Sequence, residues 1–242
     1  MILEFADRKM LEFLVPYNSM DMVGIYGAGY KLGALMLLLV YSFNYAWRPY
    51  FLKSKTIHDF KKISTYVFFG LGFFWIMLVL YLDLIAKTTL PIINSTLINY
   101  IYWDGLLIVP IIALSYIFHA SFVLQEAAPF LSNQTYKISI CRGFGVVINI
   151  ILNLILIPYY GNKPYLGAAI ATLISYFCMS LGLYIWNYAK ATFRYDYQTI
   201  LIVFINIILA WYCSYLNNIS FQLLIPVFYL IQFAYYVQCQ KR

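Results

Sequence analysis

The sequence predicts an all-α protein, a polytopic bundle of about seven transmembrane helices. Three observations predict it. Of the 242 residues, 64% are hydrophobic and only 10% charged, whereas a soluble domain carries about 25% charged residues to face water. The apolar residues gather in runs able to cross a hydrocarbon core of about 30 Å, which takes roughly 20 residues of helix. The basic residues crowd into alternate loops, as they do when those loops share the cytoplasmic side. Alternation of period two is absent, which excludes a lipid-spanning barrel.

Residues 1–21 are a charged stub carrying Glu4, Asp7, Arg8, Lys9 and Glu12. It is not a signal peptide, because acids precede the bases and no apolar run is long enough. Five spans follow at about 22–47, 63–86, 104–125, 143–158 and 166–188, forming one bundle over 22–188. Two further spans, about 199–215 and 219–238, lie with a short tail in 189–242. Loop 48–62 holds Arg48, Lys53, Lys55, Lys61 and Lys62. Loop 126–142 holds Lys137 and Arg142, the next such loop holds Lys190 and Arg194, and the tail holds Lys241 and Arg242. These eleven bases stand against Lys87 and Lys163 in the opposite loops. The bias places the C-terminus in the cytoplasm, and the first span enters from outside. Trp47, Trp103, Trp186 and Trp211 fall at span ends, where an apolar ring with an N–H prefers to sit.

The net charge of +7 reports this orientation and does not imply nucleic acid as a partner. Cys141, Cys178, Cys213 and Cys239 are widely spaced and read as small buried hydrophobes, not as a metal site or disulfides. No HExxH, GxSxG or P-loop motif is present. His58 lies in a basic loop and His119 within a span, the latter reading as a helix contact. No enzyme activity, cofactor or metal is expected. With short outer loops, function is expected inside the bundle.

Lys31 is the notable charge. It lies about 13 Å inside the first span at 1.5 Å per residue, where a charge costs about 2.5–3.5 kcal/mol. That cost predicts a water-filled cavity in front of it, which suits an anionic headgroup, or a lysine whose stem snorkels along the helix. Gly29 and Gly33, and later Gly167 and Ala171, have the small-xxx-small spacing that lets helices approach closely. Asn149 and Asn153 share one helix face, with Arg142 nearly in line; two amides in hydrocarbon must find partners, across helices or along a polar path. Asp83, Asp104 and Glu126 read as solvated span ends.

Two stretches carry a resemblance. "DRKMLEFLVPYNSMDMVGIYGAGYKLG", continued by "FNYAWRPYFLK", and "VVINIILNLILIPYYGNKPYLGAAIATLISY" resemble the polysaccharide-exporter family that includes O-antigen flippases. That family sits within the multidrug/oligosaccharidyl-lipid/polysaccharide exporter superfamily. The resemblance covers most of the chain, is densest at 7–53 and 145–176, and is weak after about 190. It implies a two-lobed transporter working by alternating access, of which this chain is the C-terminal half and residues 1–21 the remnant of a preceding helix and outer loop. It further implies a multi-pass protein of the bacterial inner membrane. Its cargo would be an undecaprenyl-diphosphate-linked oligosaccharide for surface polysaccharide or O-antigen synthesis. Asp7, Arg8 and Lys31 match the family pattern; with Asn149 and Asn153 they are the substrate-path candidates. Expected partners are the lipid-linked oligosaccharide, membrane lipids, and a separate N-terminal lobe or a polysaccharide polymerase. Alternatives are a multidrug or lipid II exporter, a polymerase or ligase, and a non-transporting fragment or assembly subunit. The segment from Gly161 to Gly167 is longer than the family pattern leads one to expect.

Overall fold

A computed structural model describes the chain except residues 1, 17, 55–58, 83, 85–88, 91–94, 97–98, 189–192, 217–218 and 242. Lys55, His58, Asp83, Lys87, Lys190 and Arg242 therefore lie outside the described residues, as does the side chain of Cys239. The fold is helical: α1 (Ile2–Leu14), α2 (Ser19–Gly33), α3 (Leu35–Ser54) and α4 (Phe60–Leu80) come first. A two-residue hairpin pairs Thr89–Leu90 with Ser95–Thr96. A 3₁₀ segment (Tyr100–Ile108) then leads into α5 (Val109–Gln125) and the short α6 (Ala127–Leu131). Last come α7 (Tyr136–Tyr159), α8 (Pro164–Asn187), α9 (Tyr197–Leu216) and α10 (Ile219–Lys241).

Among the described residues, five helical stretches are long and apolar enough to cross a membrane, and α2 with α3 makes a sixth when taken as one bent span. The seventh predicted span is also a helix, α10. The first span differs from expectation. It is broken at Ala34, where α2 and α3 meet at 43°. No proline sits at the break. The Ala34 N–H reaches the carbonyl of Tyr30, and the helix restarts with the Leu37 N–H on the Ala34 carbonyl. Two basic loops are shorter than expected, because α3 runs on to Ser54 and α7 starts at Tyr136, so Arg48, Lys137 and Arg142 all stand on helices.

Helix α5 is the centre of the bundle, packed against α2, α3, α4 and α8. Almost every one of its side chains is buried, as expected of a helix that is apolar all round. Pro110 opens it, costing no internal bond at that position, and the Pro110 carbonyl accepts from the buried indole of Trp75 at 3.1 Å. Helices α7 and α8 form a hairpin, turned by Gly161 at φ +38° and restarted by Pro164. Along α7, the residues Ile138, Cys141, Gly145, Asn149, Asn153 and Ile157 face inward. Phe144, Val147, Ile151 and Leu154 face out, an apolar face suited to lipid.

The stub is not loop-like. Leu3, Asp7 and Leu11 of α1 are buried at four-residue spacing, while Phe5 and Phe13 are exposed. That stripe wedges α1 among α2, α7 and α8.

Small residues set the closest crossings. A Cβ on Gly29 would lie 2.0 Å from the Gly105 carbonyl oxygen, and one on Gly105 would lie 2.4 Å from that of Ile25. Gly33 abuts Ile112, and a Cβ on Gly167 would meet the Leu156 carbonyl oxygen at 2.5 Å. Ala171 is fully buried.

The last helix pair, α9 and α10, packs on α4, where Tyr229 donates to the Phe69 carbonyl at 3.0 Å. Beside it, Asp196 accepts from Tyr236 at 2.6 Å and Thr199 at 3.1 Å and pairs with Lys61 at 3.4 Å. Burial alone pushes the pKa of Asp196 up, but the Tyr236 bond, the Lys61 charge and the Thr199 bond outweigh it and hold the group below its ordinary value. Its stabilisation is therefore present above the unfolded value of about 3.9 and is lost as pH falls through the lower folded value. Replacing Asp196 with alanine should loosen α10 by about 1–3 kcal/mol at neutral pH, and acidifying the unmodified protein should do the same. Faster amide exchange confined to α9 and α10 is the readout.

Candidate functional site

Four helices meet at one buried acid. Asp7 of α1 is fully buried. Its Oδ1 accepts from the Nδ2 atoms of Asn149 at 2.9 Å and Asn153 at 2.7 Å, both on α7. Its Oδ2 accepts from the Tyr26 hydroxyl of α2 at 2.6 Å and from the Thr172 hydroxyl of α8. Asn153 Nδ2 also reaches Asn149 Oδ1 at 3.2 Å, while Asn153 Oδ1 is buried with no partner. Tyr26, Asn149, Asn153 and Thr172 are themselves buried. Four donors on one carboxyl group offset part of the cost of removing it from water.

The local sequence explains the convergence. Asp7 sits in the middle of the α1 stripe. Asn149 and Asn153 are one turn apart on α7, so both amides face the same spot. Thr172 follows the small residues Gly167, Ala168, Ala169 and Ala171, which bring α8 close to its neighbours. Tyr26 and Thr172 were not legible as site residues. The available hint was that two amides and one acid on separate helices require partners.

Arg8 does not join Asp7. It is half-buried, pairs with Glu4 at 2.8 Å on its own helix, and its guanidinium lies 3.5 Å from where a Cβ on Gly27 of α2 would stand. Lys9 pairs with Glu12 at 2.8 Å. The charges of α1 other than Asp7 are thus paired within the helix, and Lys31 is exposed on α2. Arg142 is not in line with the amides. It is exposed on α7 and pairs with Glu126, while its guanidinium lies 5.5 Å from the centre of the Phe122 ring. Glu126 is buried, 7% exposed, and paired with Arg142, not a solvated span end. Asp104 is exposed.

A row of phenols leads away from Asp7. The rings of Tyr26 and Tyr30 are 5.6 Å apart, and the Tyr30 and Tyr116 hydroxyls are 2.6 Å apart. His119 follows one turn along α5, its ring 6.4 Å from Tyr116 and 5.0 Å from Tyr176. Its Nδ1 is buried without a partner.

A separate polar group joins α5 to the end of α8. Ser180 donates to Ser121 at 2.8 Å, Ser121 and Tyr195 share a hydrogen bond of 3.0 Å, and Asn187 donates to the Gln125 carbonyl at 3.1 Å. Ser121, Gln125, Ser180 and Tyr195 floor a cavity of about 130 Å³ under α9 with otherwise apolar and aromatic walls, Phe118 and Phe204 among them.

Among the described residues no cluster of His, Cys, Asp or Glu could hold a metal ion. Cys141, Cys178 and Cys213 are free thiols. No family model, curated protein or solved structure matches the chain.

Proposed function

We propose that this protein is the C-terminal half of a transporter that flips undecaprenyl-diphosphate-linked oligosaccharide across the bacterial inner membrane for surface polysaccharide synthesis. The observation that carries the reading is the acid Asp7, fully buried where α1, α2, α7 and α8 meet. Ionisable groups inside a membrane bundle are expensive and mark transport paths and ion relays. The motif resemblance supplies the cargo.

The exposed Lys31 of α2 supports the same reading. Lipid in front of it would cost about 2.5–3.5 kcal/mol, so it fits an aqueous cavity closed by an opposing lobe. In that cavity Lys31 attracts the diphosphate. Asp7 supplies a group whose charge state changes the packing of four helices, which is what alternating access requires of a coupling site.

Replacing Lys31 with methionine in a complementation strain, together with whatever lobe completes the transporter there, should lower surface polysaccharide at least about fivefold, as expected for losing about 1 kcal/mol of headgroup attraction. Unchanged polysaccharide with normal membrane insertion would sink the reading.

A further inference from the structure

We propose that Tyr26, Tyr30, Tyr116 and His119 form an internal proton path joining Asp7 to the end of the bundle marked by the Arg142–Glu126 pair. The proposal rests on the reading of Asp7 as the coupling group. Tyr26 donates to Asp7 at 2.6 Å, and Tyr30 and Tyr116 bond to each other at 2.6 Å. The hydroxyls of a buried tyrosine row are costly unless each has a partner, and phenylalanine would fill the same space without that cost. A hydroxyl both donates and accepts, so a row of them passes a proton by reorientation without any of them becoming an ion.

His119 is the group that can collect the proton. It stands one turn beyond Tyr116 on α5, and two turns before Glu126, the residue that caps that helix. Its buried Nδ1 has no partner, an acceptor left open beside the row. The proton binds the imidazole, passes through Tyr116, Tyr30 and Tyr26, and comes to rest on the Asp7 carboxylate, leaving the imidazole neutral. Two joints, His119 to Tyr116 and Tyr26 to Tyr30, are ring contacts with centroids 6.4 and 5.6 Å apart, so the path requires a bridging water or a side-chain rotation at each.

The neighbours are accounted for on every packed element. Asp7 faces Tyr26 on α2, Asn149 and Asn153 on α7 and Thr172 on α8, with Glu4 and Arg8 on its own helix. His119 faces Tyr116 on α5, Tyr176 on α8 and Arg142 on α7. Tyr116 is further influenced by Tyr41 of α3.

The test uses the full chain in lipid nanodiscs and follows the infrared carboxylic-acid band after a pH jump. The band lost in Asp7→Asn belongs to Asp7. In Tyr116→Phe, Tyr30→Phe and His119→Phe it should form about tenfold more slowly or worse, within the range of positioned proton-transfer groups, and reach the same final height. Tyr176→Phe, beside the row but outside it, should keep the original rate. Equal rates in all the variants would overturn the path, as would an Asp7 band that answers to sodium or potassium at fixed pH and not to protons. None of this needs transport, so a sound path with no effect of Asp7→Asn on polysaccharide export would leave the path standing and remove only the flippase reading.

Discussion

Replacing Gly29 with leucine will prevent the bundle from assembling. Even the first carbon of a side chain there would sit 2.0 Å from the Gly105 carbonyl oxygen and 2.7 Å from Ile108 Cγ1. Backbone cannot yield as a flexible side chain tip can. The 3₁₀ segment would have to move off α2, and that segment is the root of α5, on which the other helices lean. Overpacking in a tight core typically costs about 1–3 kcal/mol and more where backbone must shift; leucine at Gly29 belongs to the upper end. Gly143 is the matched control, since a Cβ there meets nothing within 4 Å. Gly143→Leu should unfold in detergent at the temperature of the unmodified protein, and Gly29→Leu should show no cooperative transition. A normal transition for Gly29→Leu would mean that the α2 crossing is not tight.

Asp7 should separate fold from function. Asp7→Leu strands the Tyr26, Thr172, Asn149 and Asn153 donors in an apolar core, at about 1–3 kcal/mol for each group left unsatisfied. The expected result is little folded protein in the membrane fraction. Asp7→Asn keeps the size and two of the acceptor positions while removing the ionisable proton. It should insert and resist protease like the unmodified chain, yet fail to restore surface polysaccharide. Full restoration by Asp7→Asn would show that the buried acid is only an anchor for four helices.

Much of the bundle was legible because hydrophobic length is a strong local signal. Runs such as 104–125 and 166–188 became α5 and α8. The break at Ala34 was not legible, since no proline marks it and the apolar run continues through it. Glu126 was misread for a related reason: an acid at a run's end looks solvated until its burial and its pairing with Arg142 are known. Within the site, the spacing of Asn149 and Asn153 announced a shared face. Their partner did not announce itself, because Asp7 lies on the other end of the chain and its neighbour Arg8, the obvious companion in sequence, pairs with Glu4 instead. Tyr30 and Tyr116 illustrate the same limit, an exchange of hydroxyls between helices that no local pattern encodes.

The distance along the chain between Asp7 and its partners has a consequence for how the protein is made. Asn149, Asn153 and Thr172 follow it by 142, 146 and 165 residues. At a synthesis rate of about 5–20 residues per second, they emerge on the order of 10 seconds after it. Through that interval the acid has no finished pocket, and hydrocarbon is the wrong place for it to wait. Helix α1 must therefore stay at the water interface or under the protection of the insertion machinery until the hairpin of α7 and α8 arrives, so its burial waits on segments made well over a hundred residues later.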